Sequence, residues 1–216
     1  MPSDAICELV DRLAALPGAD DLFNPYAPLD DPNAAIRRAN LTRYLTSLQR
    51  FEPTVLLLAE APGYRGCRYS GLPVVSERIM LEGVKKWGLF GDGYRATSGV
   101  PNGISEMTAT ILWGALVEHL DKPPVIWNTV PLHPHRPGQP DTNRPPRLSE
   151  IRMGQPFVEA IMAMFPIRTV LAVGRKAEHT LRELGIEHIY LRHPSQGGKA
   201  DFIAGLKQAV GRGAPA

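Results

Sequence analysis

The sequence predicts an α/β fold built on a mainly parallel sheet. Three observations point there. The apolar runs "TVLLLA" (54–59), "PVIWNTV" (124–130), "RTVLAV" (168–173) and "EHIYLR" (187–192) have the length of strands. Segments of helical periodicity separate each run from the next, and a crossover helix is what a parallel pair requires. The runs are short and unbroken rather than alternating, as expected when both faces of a sheet are covered.

Taken in order, residues 3–15 place Ile6, Leu9, Val10 and Leu13 on one helical face, with Ser3 at the N-cap. A loop follows over 17–32. Asp31-Pro32 then supplies a cap and a proline at the first helical position, opening a helix to about Arg50. After the first strand comes a Gly/Pro-rich loop to about Val75, then a short helix over 76–87. Five glycines in 88–103 make that stretch a loop, and a helix over 104–121 leads into the second strand. Six prolines in "PLHPHRPGQPDTNRPPR" (131–147) exclude helix and central strand there. A helix over Ser149–Phe165 contains Pro156, which predicts a late start or a kink. The last two helices cover Arg175–Leu184 and 199–210.

At 216 residues the chain has the length of one domain, 1–216, with the helices of 1–50 packed on the rest. A net charge of +2 is too small to declare a nucleic-acid partner without a local basic surface. Two cysteines, Cys7 and Cys67, exclude a four-cysteine zinc or iron–sulfur site and are read as reduced thiols of a cytoplasmic protein. The N-terminus carries acids early, unlike a secretory signal. No apolar run is long enough to span a membrane.

Ligands of open parallel sheets bind beyond the carboxyl ends of the strands. Strand one ends in Glu60, strand two carries Asn128, strand three ends in Gly174-Arg175-Lys176, and strand four ends in His193-Pro194-Ser195. Each alone has an ordinary reading: a capping acid, a turn amide, a loop histidine. Together they place a carboxylate, an amide, cations and an imidazole on one rim. An Asn side chain offers a donor beside an acceptor, matching a ring edge with adjacent carbonyl and N–H groups such as uracil. A histidine donor stabilises charge on a leaving base, and a carboxylate orients water and offsets an oxocarbenium-like sugar. This chemistry calls for no metal and no organic cofactor.

The segments "EAPGYRGCRYSGLP" (60–73), "WNTVPLHPHRPGQ" (127–139) and "HPSQGG" (193–198) resemble the signature segments of the uracil-DNA glycosylase superfamily, in order and each at a strand end. The resemblance covers about residue 54 to the C-terminus. It implies a four-stranded parallel sheet between helices, a three-layer α/β/α sandwich. It also implies hydrolysis of the N-glycosidic bond of a flipped-out uracil in single- or double-stranded DNA, leaving an abasic site, by a monomer without cofactor. Carried over to this chain, Asn128 reads the uracil edge and His193 faces the carbonyl nearest the glycosidic bond. Glu60, Ala61, Pro62 and Gly63 line the base pocket. Glu60 is the first choice for the catalytic acid and Glu77 the second; as an ordinary residue, Glu77 is a first-turn acid that suits a helix dipole. Ser195, Gln196, Gly197, Gly198 and Lys199 would contact phosphate, with Arg65 and Arg136 as further DNA contacts.

Three departures from that pattern stand out. The chain lacks the four cysteines of the iron–sulfur branches, so it resembles a cluster-free branch. Gly71-Leu72-Pro73-Val74 puts Val74 where those branches carry a phenylalanine that stacks on the base, which leaves Tyr64 or Tyr69 as substitutes. Gln196-Gly197-Gly198 replaces a bulky wedge. The pair His133 and His135 is too small a set for a metal and reads as part of a loop near DNA. Arg136, Arg144 and Arg147 are either phosphate contacts or solvated loop residues. Trp87, Trp113 and Trp127 read as packing. A non-catalytic binder of uracil-containing or abasic single-stranded DNA on the same fold is the alternative.

Overall fold

Four strands run side by side in one direction: β2 (Val55–Ala59), β3 (Val125–Asn128), β5 (Thr169–Val173) and β6 (Ile189–Leu191), in the spatial order β3-β2-β5-β6. The computed structural model describes residues 2–28 and 31–211. Helices flank this parallel sheet, giving a mixed α/β architecture: α1 (Asp4–Ala14), α2 (Ala34–Gln49), α3 (Cys67–Ser70), α4 (Glu77–Glu82), α5 (Met107–His119), α6 (Leu148–Met164), α7 (Arg175–Glu183) and α8 (Lys199–Gly211). A second, two-stranded antiparallel pair joins β1 (Leu22–Phe23) to β4 (His133–Pro134) and ties the N-terminal loop to the proline-rich loop.

The sheet interior follows from the apolar runs. Leu56, Leu57 and Leu58 of β2, Val125 and Ile126 of β3, and Leu171 and Ala172 of β5 are fully buried. Burying each such leucine contributes about 1.5–3 kcal/mol. The helices bury the faces the periodicity predicts: Ile6, Leu9, Val10 and Leu13 of α1, which packs on α2 and α6, are all buried. Trp87, Trp113 and Trp127 are buried too. Among the described residues no helix is long and apolar enough to cross a membrane.

Several boundaries differ from the sequence reading. Ser3 is the N-cap residue of α1, but its side chain makes no capping hydrogen bond. The helix expected to open at Asp31-Pro32 begins at Ala34. Asp31 is already engaged: it accepts a hydrogen bond from the Asn33 N–H (2.8 Å) and pairs with the buried Arg37 guanidinium. The helix predicted over 76–87 stops at Glu82 because Gly83 takes φ +76°, closed to most side chains. The helix expected from residue 104 starts at Met107, with Glu106 still extended as its N-cap. Helix α6 starts at Leu148 and runs through Pro156. A Cβ on Gly154 would lie 1.9 Å from the Thr129 carbonyl oxygen, so this helix rests directly on the backbone beyond β3. Tertiary packing at that contact outweighs the lost hydrogen bond at the proline.

The order β3-β2-β5-β6 positions the site. From β2 the chain crosses to β3 on one side, then returns to β5 on the other. The direction of winding reverses at the β2–β5 boundary, and such a reversal opens a crevice beyond the strand ends.

Candidate functional site

A cavity of about 500 Å³ lies at that reversal point. Its wall includes Ala59, Glu60, Ala61, Pro62 and Gly63 beyond β2, and Val173, Gly174, Arg175 and Lys176 beyond β5. Arg192, His193, Ser195 and Gln196 follow β6. Val74, Cys67, Glu106 and Arg144 complete much of the remaining wall. The volume falls in the range of small-molecule sites.

The turn after β2 is anchored from the neighbouring segments. Thr129 N–H donates to Ala59 O (2.8 Å), while Val130 N–H and the Thr129 hydroxyl donate to Glu60 O (3.0 and 2.7 Å). The Glu60 carbonyl is therefore committed, and its side chain remains for a ligand. The Oε1 atom lies 3.3 Å from Lys176 Nζ, an ion contact whose angle falls short of a hydrogen bond. Burial pushes the Glu60 pKa up, and Lys176 opposes that push.

His193 is held by its own loop. Ser195 N–H (3.2 Å) approaches Nδ1, and the Ser195 hydroxyl lies 2.7 Å from it. A backbone N–H can only donate, so Nδ1 is the acceptor and the proton of the neutral ring sits on Nε2. Burial, with Arg192 and Lys176 nearby, holds the imidazole pKa below its ordinary value. The ring packs on Gly174, where an added Cβ would come within 3.2 Å of His193 Cβ. Ser195 thus orients the histidine. Gly198 is bare because a Cβ there would lie 2.1 Å from His193 O, so internal packing already requires a glycine.

Asn128 is level with Ala59 in the β2–β3 ladder and nearly fully buried. It is not on the cavity wall but beside it. Its Oδ1 is buried without a hydrogen-bond partner among the described residues, an arrangement that proteins rarely leave without a reason.

The structure separates other predicted residues from this group. Glu77 is fully buried, and its carboxylate accepts hydrogen bonds from Thr97 N–H (2.6 Å), Ser98 N–H (3.0 Å), Ile104 N–H (3.2 Å) and the Ser98 hydroxyl. It organises the 97–104 loop and does not line the cavity. Tyr69 and Arg65 line a separate, shallower depression with Tyr64 and Arg78. Among the described residues no Phe, Tyr or Trp is on the main cavity wall, and Val74, where a stacking aromatic was expected, lines it at φ +52°. That backbone region is strained for a β-branched residue; its carbonyl accepts from Trp113 Nε1–H (2.9 Å). Arg136 is exposed, whereas Gly197, Gly198 and Lys199 lie off the wall.

The proline-rich loop is also more structural than its composition indicates. Arg144 donates to both Glu150 oxygens (2.8 and 2.6 Å) and Arg147 pairs with Asp21, so neither is a free phosphate contact. Those two guanidinium groups hold the Asp21 pKa down at about 2. His133 and His135 are buried. The His133 ring spans Pro62 O (2.7 Å) and Pro140 O (3.0 Å), clamping the loop to the turn after β2.

Two wall residues had no role in the sequence reading beyond their surroundings. Lys176 was visible only as half of a basic pair. Glu106 gave one faint sign, an acid at a helix start, which the helix dipole explains without a site. No protein-family model matches the chain, and no curated protein matches it.

Proposed function

We propose that this chain is a DNA glycosylase that flips uracil out of DNA and hydrolyses its N-glycosidic bond, as a cofactor-independent cytoplasmic monomer with a three-layer α/β/α fold. The observation that carries this reading is the convergence of Glu60, Asn128 and His193, drawn from three separate sequence motifs, on one end of the parallel sheet. Asn128 Oδ1 needs a donor. The uracil ring N–H supplies one while the Asn amide donates to the adjacent carbonyl. The Nε2–H of neutral His193 stabilises negative charge on the other carbonyl as the base departs. Glu60, steadied by Lys176, orients the attacking water and offsets positive charge on the sugar. Arg192 and Arg175 lend the mouth a positive field that suits phosphate.

The test is release of uracil from a uracil-containing single-stranded oligonucleotide in the presence of a chelator. His193→Ala is expected to lower the rate about 10²–10³-fold, the loss typical of one donor to a developing anion. Asn128→Ala is expected to weaken selection of uracil over cytosine. No release from single- or double-stranded DNA by the wild-type protein would sink the reading.

One observation favours a second reading, a non-catalytic binder of uracil-containing or abasic DNA: among the described residues no Phe, Tyr or Trp lines the cavity to stack on the base. Such a protein would retain that DNA and leave the glycosidic bond intact.

A further inference from the structure

Glu106 is the acid of the cavity wall to which the chemistry above gives no work. It is the N-cap residue of the thirteen-residue helix α5, extended at φ −129° and ψ 128°. A polar residue there ordinarily turns its side chain back to the first amides of the helix. Glu106 makes no such bond. Its carboxyl group lies instead along the Gly63–Gly66 turn. A Cβ on Gly66 would sit 2.4 Å from Oε2, and one on Gly63 would sit 3.5 Å from Oε1. Gly66 takes φ −111° and ψ −109°, a backbone conformation that itself favours glycine, and its missing side chain also leaves room for the acid. The chain clears space for this carboxyl, places it on the cavity wall, and gives it no hydrogen-bond donor among the described residues.

Across the wall stand Glu60 from the end of β2, Arg175 and Lys176 from α7, and Arg192 and His193 beyond β6. Lys176 is paired with Glu60, Arg175 with Glu178, and Arg144 of the proline-rich loop with Glu150. From α3, Cys67 faces Glu106 as a thiol pushed up to about 12, hence neutral. With no cation committed to it, burial pushes the Glu106 carboxyl up to about 7.

We propose that Glu106 acts as a protonated carboxyl group that donates a hydrogen bond to a ring carbonyl of the bound base, which makes the site selective for oxo-bases and couples their binding to retention of one proton. This rests on the reading of the cavity as a nucleobase site. The physical basis is the asymmetry of the two forms. A neutral carboxyl has a donor, whereas a carboxylate only accepts. The ionised form repels both a carbonyl oxygen and the charge of a departing base.

The probe is a single-stranded oligonucleotide carrying one 2′-fluoro-2′-deoxyuridine, whose glycosidic bond resists cleavage. Its affinity is measured from about pH 5.5 to about pH 8.5. For the wild type it is expected to fall about tenfold for each pH unit above about 7. Glu106→Gln, which cannot ionise, is expected to lose that fall and to bind more tightly than wild type at the alkaline end. A carbon-detected titration of the Glu106 carboxyl in the wild-type protein gives a second measurement that needs no variant. Its midpoint is expected near neutrality and is expected to rise when the probe binds. Parallel affinity profiles for wild type and Glu106→Gln, a midpoint in the ordinary carboxylate range, or no binding of the probe at any pH would each overturn the proposal. Binding with the Glu106-dependent profile, but no release of uracil from the unfluorinated oligonucleotide, supports it and overturns the glycosylase reading alone.

Discussion

Glu77 and Glu106 are the same side chain treated in opposite ways. Glu77, in the first turn of α4, is fully buried and accepts hydrogen bonds from three backbone amides and a hydroxyl. Glu106, at the start of α5, is shielded by the Gly63–Gly66 turn and receives none from the described residues. The first arrangement satisfies the carboxylate and converts it into a fastener for the 97–104 loop. The second leaves a polar group poorly solvated and open to a ligand. Burial alone does not distinguish the two acids; the presence or absence of donors does.

The largest effect is expected at the satisfied acid. Glu77→Ala leaves three amides and a hydroxyl unpaired and is expected to cost about 3–5 kcal/mol, read as a lower denaturation midpoint. If the loss were under about 1 kcal/mol, the loop would not depend on this carboxylate.

The opposite sign is expected at the unsatisfied acid. The folded state holds the Glu106 proton more tightly than the unfolded state, whose value is 4.5, since burial moves it to about 7. The stability this group contributes is therefore full below pH 4.5 and is lost as pH rises through about 7. That displacement corresponds to at most about 3–4 kcal/mol. Glu106→Gln is expected to stabilise the protein by up to that amount at alkaline pH and by little in acid, measured by thermal unfolding at the two extremes. Equal melting shifts at both would remove the contrast with Glu77.

The smallest effect concerns two adjacent valines. Val74 on the cavity wall sits at φ +52°, while Val75 is fully buried in the core. Val74→Gly relieves strain while losing side-chain contacts, and is expected to stay within about 1 kcal/mol of wild type. Val75→Gly only loses packing and backbone stiffness, and is expected to cost about 3 kcal/mol. Equal losses at both positions, in denaturant titrations, would mean that the backbone at Val74 carries no strain worth relieving.

The sheet was legible because strand runs such as "TVLLLA" and helix faces such as Ile6, Leu9, Val10 and Leu13 are local patterns. Each states which surface must leave water, and solvent-driven burial needs no particular partner. The parallel order implied by the intervening helices carried Glu60 and His193, 133 residues apart in number, to one rim, with Asn128 beside them. The β1–β4 pair escaped notice because two-residue strands have no period to read.

By itself, then, the sequence determined the strands, most of the helices and the rim on which Glu60, Asn128 and His193 meet. Only the tertiary structure decided that Glu77 belongs to a loop, that Arg144 and Arg147 are bound to Glu150 and Asp21, that Tyr69 lines a different depression, and that Glu106 joins the cavity. The reason is the range of the interactions. Apolar burial is decided by pattern along one segment. The role of a polar group depends on whether a donor or counter-ion reaches it, and those partners come from distant segments: Asp21 for Arg147, and the Gly63–Gly66 turn for Glu106.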